Sequence, residues 1–283
     1  MHRLLVLAIS LSGLAFSAQA GVLDDIKETG EFKLAYRAES PPFSSKAPDA
    51  AVPEGFTIDL CRIIARDVQA QLGLTEMKVT WVKVDANERI DAIVSGRAHM
   101  ECGVTSVTLS RMERVDFSNL FYITGASLMV LNSSDIRTVD DLRNRRVSVV
   151  KGTTTERVLE EALDRRGINA RIVLVDNHAE GLDRLVKKNT DAMAADQATL
   201  LGIGFKSKGE QRLVITEDIL SFEPYALPLP RNDADFRLAV NRSLSNLYKR
   251  GDVGRSWEKW FGALGVRPTQ MLLMVYRLNT FAD

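Results

Sequence analysis

Arg111 closes the run Glu101-Cys102-Gly103-Val104-Thr105-Ser106-Val107-Thr108-Leu109-Ser110-Arg111, in which hydroxyls and spare backbone amides precede a guanidinium by a few residues. A guanidinium is a planar fork that grips a carboxylate through two parallel N–H bonds, and Thr or Ser hydroxyls complete the acceptor's hydrogen-bond shell. Such a cluster suits a small organic anion. It holds no obvious nucleophile–base pair, so capture is expected rather than catalysis. A second set of hydroxyls, Thr153-Thr154, follows Gly152 and precedes Glu156. A helix is expected to open there, where free N–H groups and the helix dipole favour a carboxylate. Thr153 with Glu156 also satisfies the plainer role of a helix cap, and both roles are compatible.

The elements that position these groups alternate along the chain. Residues 31–37 and 78–84 read as strands, and 58–72 as an amphipathic helix with Ile58, Cys61, Ile64, Val68 and Leu72 at helical spacing. Asn87 can cap a short helix carrying Ile90 and Ile93 and ending at Gly96. A second, similar unit follows Leu131. Its strands are 146–150, 171–175 and 191–194; its helices run from the Thr153 region to about Arg166, over 180–188 and from Gln197 onward. Alternation of this kind predicts parallel sheets covered on both faces by helices, an α/β fold. The turn-rich stretches 132–135 and 222–224 are where the chain could pass between two lobes. A C-terminal helix over 233–249 ends at Gly251, and Trp257, Trp260 and Phe261 then form an aromatic cluster, read as a packing anchor rather than a ligand-stacking site.

The ends and the composition narrow the setting. Arg3, an apolar stretch over 4–16 and Ala18-Gln19-Ala20 have the layout of a cleavable export signal, residues 1–20. The apolar stretch is too short to span a membrane, and the absence of a cysteine at the cleavage point argues against a lipid anchor. Lys+Arg and Asp+Glu number 37 each; removal of Arg3 with the leader leaves 36 against 37. This balance, with no basic stretch, argues against nucleic acid or an anionic membrane surface as partner. Cys61 and Cys102 are the two cysteines. In an oxidising compartment a lone pair reads as one disulfide, with two buried thiols as the alternative. After the leader the histidines are His99 and His178, without metal-ligand spacing around them, so neither a metal nor a cofactor is expected.

Several motifs then coincide in order and spacing: Gly55-Phe56-Thr57-Ile58-Asp59-Leu60, Arg89-Ile90 with Val94-Ser95-Gly96-Arg97, the Thr–Arg run ending in Asp116-Phe117-Ser118, Val150-Lys151-Gly152-Thr153-Thr154, Ala195-Asp196-Gln197-Ala198 and Lys259-Trp260-Phe261-Gly262. With them the chain resembles the periplasmic amino-acid-binding proteins of ABC importers. Tyr36-Arg37, Glu101-Cys102-Gly103 and Asp176-Asn177-His178 make it most similar to the glutamate/aspartate receptors. The resemblance implies the type II two-lobed fold. Residues 21–127 and 222–283 would form one lobe, 128–221 the other, with two hinge crossings and a ligand cleft between. It implies a monomer that delivers an amino acid to membrane permease subunits. It also implies that Arg111, Thr105 and Ser106 hold the α-carboxylate, assisted by Thr153 and Thr154. Asp196 would hold the α-ammonium, against an equally good reading as a helix N-cap. Arg37, Arg89 and His178 would decide the side-chain pocket, Arg89 less firmly because its helix offers an exposed face. The sequence departs from the receptor pattern at Val104 and Ala86, where small polar residues are common. The main rival is an exported enzyme on the same scaffold, with Glu101 as its acid. A binder of a dicarboxylate lacking an ammonium is another. A receptor's sensor portion would need a membrane segment after the domain, and none is read here.

Overall fold

In a computed structural model of the chain, residues 21–207 and 212–282 are described; the expected export leader, 1–20, lies outside them. Two sheets organise the rest. In the first, strand Glu31–Tyr36 lies between Lys78–Lys83 and Met100–Glu101, parallel to both. Helix Phe56–Gln71 lays Ile58, Cys61, Ile64 and Val68 on this sheet. The C-terminal helices Ala234–Lys249, Asp252–Phe261 and Gln270–Leu278 bring Phe236, Val240, Leu244, Phe261 and Leu272 into the same core. Trp257 stacks on Phe261 at 4.3 Å and on Tyr122 at 5.7 Å, so the aromatic cluster is a packing anchor.

The second sheet runs in the order Arg171–Val175, Arg146–Val150, Ala192–Asp196, Ala126–Leu131, Leu213–Ile215. Its first three strands are parallel, and Ala126–Leu131 is antiparallel to both of its neighbours. Helices Thr154–Arg166, His178–Val186 and Gln197–Lys206 cover it. Both sheets therefore end on helix N-termini, the arrangement that points amide dipoles at a cleft.

The chain passes between the sheets on an antiparallel pair, Tyr122–Thr124 with Glu223–Tyr225, in which Thr124 faces Glu223. The turn at 132–135, expected as a passage, instead follows Ala126–Leu131 within the second sheet, where the Asn132 N–H donates to the Arg212 carbonyl. Gly125 follows the first crossing, and a Cβ there would collide with the Ser221 carbonyl. The helix after Asn87 is also displaced: Arg89–Val94 has Glu88, not Asn87, at its N-cap.

Cys61 and Cys102 form a disulfide, with Cα atoms 6.2 Å apart and a sequence separation of 41. It ties helix Phe56–Gln71 to the turn after Met100–Glu101. Closing a loop of this length restricts the unfolded chain by about 4 kcal/mol. The Cys61→Ser/Cys102→Ser double variant is expected to melt about 10 °C lower than the oxidised protein. Reductant should move the wild type the same way, as thermal denaturation with and without dithiothreitol will read.

Candidate functional site

On the side of the first sheet, strand Glu31–Tyr36 delivers Arg37, whose backbone N–H donates to Ser44 Oγ at 3.0 Å. Arg89 opens the helix Arg89–Val94. Arg37 and Arg89 are each only 3% exposed. Neither forms an ion pair within 4 Å among the described residues. Arg89 Nε donates to Thr105 Oγ1 at 2.7 Å, and that hydroxyl donates on to Glu101 Oε2 at 2.9 Å. Arg89 Nη1 and Glu101 Oε1 are buried without a partner among the described residues. Glu101 lies this close to its own turn because residue 103 is glycine; a Cβ there would overlap its carboxylate and press on Arg37 Cγ at 2.9 Å. Burial raises the Glu101 pKa, opposed by the charges of Arg89 and Arg37. Burial lowers Arg89, and with the Arg89 charge it lowers Arg37 to about 10.

On the side of the second sheet, Thr153 is the N-cap of Thr154–Arg166: its hydroxyl accepts from the Glu156 N–H at 3.2 Å and donates to the Val150 carbonyl at 2.7 Å. Thr154 Oγ1 donates to Glu223 Oε2 on the second crossing at 2.7 Å. Thr155 Oγ1 donates to Asp196 Oδ1 at 3.0 Å. Asp196 ends strand Ala192–Asp196 and occupies the N-cap position of Gln197–Lys206, yet makes no side-chain cap bond. Its carboxylate accepts from Thr155 and from the Tyr225 hydroxyl instead. Burial, then the nearby Glu223 charge, pushes the Asp196 pKa up to about 6. His178 is the first residue of His178–Val186, two residues earlier than the periodicity predicts, because Asn177 caps the helix by accepting from the Glu180 N–H at 3.0 Å. Its ring Nδ1 lies 2.9 Å from the Glu39 carbonyl, and burial followed by the Arg37 charge lowers its pKa to about 4.

These two walls enclose one cavity. Arg37, Arg89, Val104 and Ser106 line it from one side; Thr153, Thr154, Thr155, His178, Asp196 and Thr199 line it from the other, over a floor of Val150, Ala194 and Ala195. Seven residues singled out in the sequence thus stand together: Arg37, Arg89, Ser106, Thr153, Thr154, His178 and Asp196. Two others stand back from the lining. Thr105 is fully buried behind Arg89 and orients it. Arg111 sits half-buried, donating to the Ser106 carbonyl at 2.8 Å and reaching the Gly152 carbonyl opposite at 3.5 Å. Burial, then the Arg89 charge, lowers its pKa to about 9, so it stays a cation at neutral pH. Arg89, whose helix offered an exposed face in the sequence, turns inward. Of the two departures, Val104 meets the cavity, whereas Ala86 packs against Val150 and Val175. Glu101, fully buried behind Thr105, does not line the cavity.

Sequence reasoning missed Thr155, Thr199, Glu223 and Tyr225. Thr155 continues a visible threonine run. Glu223 was read only as part of a passage between lobes and Tyr225 not at all, although their carboxylate and hydroxyl reach Thr154 and Asp196.

The sequence matches the profile of the bacterial extracellular solute-binding proteins, family 3, over residues 32–263. The chain belongs to that family. It is 31% identical over 241 residues to an L-glutamate/L-aspartate-binding protein of Pseudomonas aeruginosa, covering 85% of this chain and 80% of the other. It is 26% identical to an ABC transporter glutamine-binding protein of Bacillus subtilis, over 83% of this chain and 82% of that one. Among solved structures, an ArgBP variant from T. maritima superposes with a TM-score of 0.74 at 28% identity, covering 85% of this chain and 99% of the other. This family 3 protein accordingly has the type II two-lobed fold, each sheet with its helices forming the core of one lobe. Its cleft carries Arg37 and Arg89 beside the buried Glu101, while Arg111 stands near Asp196 and Glu223, whose charges act on each other. Guanidiniums at one place and a carboxylate at another suit a ligand carrying both charges.

Proposed function

We propose that this protein is the periplasmic substrate-binding component of an amino-acid ABC importer, and that its cleft takes L-glutamate or L-aspartate. The observation that carries the acidic ligand is the pair of buried guanidiniums, Arg37 and Arg89, which line the cavity without an ion pair among the described residues. Unpaired buried charge is costly, and a ligand carboxylate arriving there would relieve that cost. In this reading Arg37, Arg89 and His178 receive the side-chain carboxylate and Asp196 receives the α-ammonium. Arg111 and Ser106, with the N–H groups at Thr153 and Thr154, receive the α-carboxylate, while Thr105 holds Arg89 in place. The relatives named for glutamate and aspartate support this choice of ligand.

The lobes in this proposal are 21–127 with 222–283, and 128–221. They hinge on the two crossings, and closure follows from ligand contacts made with both walls at once. The protein acts as a monomer after removal of 1–20 and hands the amino acid to membrane permease subunits.

A pair of variants tests the division of labour. Arg111→Ala is expected to abolish binding of every amino acid, because the α-carboxylate is common to all. Arg37→Ala is expected to weaken acidic ligands about 30-fold or more while sparing neutral ones, the range for a lost buried charge contact. Micromolar glutamate binding by the first variant, or a uniform loss across ligands in the second, would overturn these roles.

A further inference from the structure

The ring of His178 is held at one nitrogen. Nδ1 lies 2.9 Å from the Glu39 carbonyl and 3.4 Å from Ser40 Oγ. A carbonyl oxygen only accepts, so Nδ1 carries the hydrogen, and in the neutral ring Nε2 is then a bare acceptor. Because Nδ1 is turned to the Glu39–Ser40 strand, the Nε2 edge is the one that His178 contributes to the cavity lining. The surroundings offer this edge no anion. Arg37 faces it from the end of Glu31–Tyr36, and Arg89 lines the same cavity from the helix Arg89–Val94. On its own helix the Glu180 carboxylate is engaged by the Asp176 N–H and by Arg184, and Asp176 is paired with Lys151. Asp196, the remaining carboxylate of the lining, is held by Thr155 and Tyr225.

A bare Nε2 accepts a hydrogen bond from a side-chain amide but repels a carboxylate, whose oxygens are acceptors only. We infer that His178 discriminates acidic from amide ligands by its own protonation: it binds an amide as the neutral ring, and it takes one proton from solvent to seat a carboxylate. The inference rests on the reading that the Arg37 end of the cavity receives the ligand side chain. Burial and the Arg37 charge lower the His178 pKa to about 4, so the ring is neutral before an acidic ligand arrives. Glutamate binding is then coupled to proton uptake at neutral pH, and glutamine binding is not. The Glu39 carbonyl acts as a positioning group, since it decides which nitrogen remains open.

The test is calorimetric titration of ligand-stripped protein with L-glutamate and L-glutamine at pH 5.5, 6.5 and 7.5. The glutamate side chain stays largely ionised across this window, and effects of Asp196 are common to both ligands and cancel in the ratio of affinities. One linked proton changes that ratio by up to about tenfold per pH unit. The ratio of glutamate to glutamine affinity is expected to grow at least about tenfold from pH 7.5 to 5.5 in the wild type, and to stay flat in His178→Gln. Glutamate titrations at pH 7.0 in two buffers of different ionisation enthalpy give the proton count directly. More than half a proton taken up by the wild type and none by His178→Gln supports the inference, even where glutamine binds too weakly for a ratio. A flat wild-type ratio, or no proton uptake with glutamate, overturns the inference and leaves the acidic-ligand reading standing. No glutamate binding at any pH overturns that reading and the inference with it.

Discussion

Arg89→Ala is expected to lower the affinity for glutamate ~100-fold or more, equivalent to about 3 kcal/mol, the range for truncating one side of a buried charge contact. Three features make this effect large. The side chain is 3% exposed, so no water replaces the lost N–H groups at low cost. Its Nε is anchored by Thr105 at 2.7 Å, so the fork is already oriented and little entropy is lost when ligand arrives. Its Nη1 has no partner among the described residues. The variant also strips Glu101 of its nearest counter-charge, and that carboxyl, already raised by burial, should move further toward the neutral form. Arg89→Lys keeps a cation but loses the fork and the bond to Thr105; its affinity should fall between wild type and alanine. Titration of folded variants, verified by circular dichroism, reads all three. An alanine variant within about threefold of wild type would mean that ligand does not reach this guanidinium.

Asp196→Asn should be nearly as damaging to function, and it should stabilise the empty protein. The asparagine keeps the shape and can still meet Thr155 and Tyr225, but it cannot neutralise an ammonium. Amino-acid affinity is expected to fall by about 2–3 kcal/mol. Dicarboxylates without an ammonium, such as glutarate, should gain relative to glutamate because a repelling charge is gone. The wild type should show the same chemistry through pH. With Asp196 raised to about 6, amino-acid binding requires loss of its proton, so affinity weakens by up to about tenfold per unit below pH 6. For ligand-free stability the sign is opposite. A carboxyl whose folded pKa lies above its unfolded value binds protons more tightly in the native state. Stability is then greatest below the unfolded value of 3.8, falls as pH rises toward 6, and stays reduced above it. Removing the charge at pH 7.5 should return about 1–3 kcal/mol, seen as a higher melting temperature in the absence of ligand. A variant that melts lower than wild type at pH 7.5 and binds glutamate normally would contradict both halves of this assignment.

What could be read in the sequence and what could not follows the range of the interactions. Strands Arg146–Val150 and Arg171–Val175 and helix Thr154–Arg166 are legible because their hydrophobic period and caps are local. The inward turn of Arg89 is not: a helix of six residues is too short for its periodicity to say which face is buried. The choice between cap and ligand at Asp196 was open for a related reason. It occupies a cap position by sequence, and only its bonds to Thr155 and to Tyr225, 41 and 29 residues away, turn the carboxylate from that role. Glu223 reaches Thr154 over a separation of 69 residues, a contact made by the second crossing and marked by no local pattern. His178 was found through its motif, but the tautomer depends on the Glu39 carbonyl, 139 residues earlier in the chain.

The central claim is that an acidic amino acid fills the space between the two walls. Isothermal titration of ligand-stripped protein lacking 1–20, with a panel of amino acids, dicarboxylates and prephenate-like acids, addresses it most directly. Saturable binding of glutamate or aspartate, tighter than glutamine or glutarate at pH 7 and with the ligand recovered unchanged, is the predicted result. Silence toward acidic amino acids alongside tight binding of another class, or chemical turnover of any member of the panel, would contradict it.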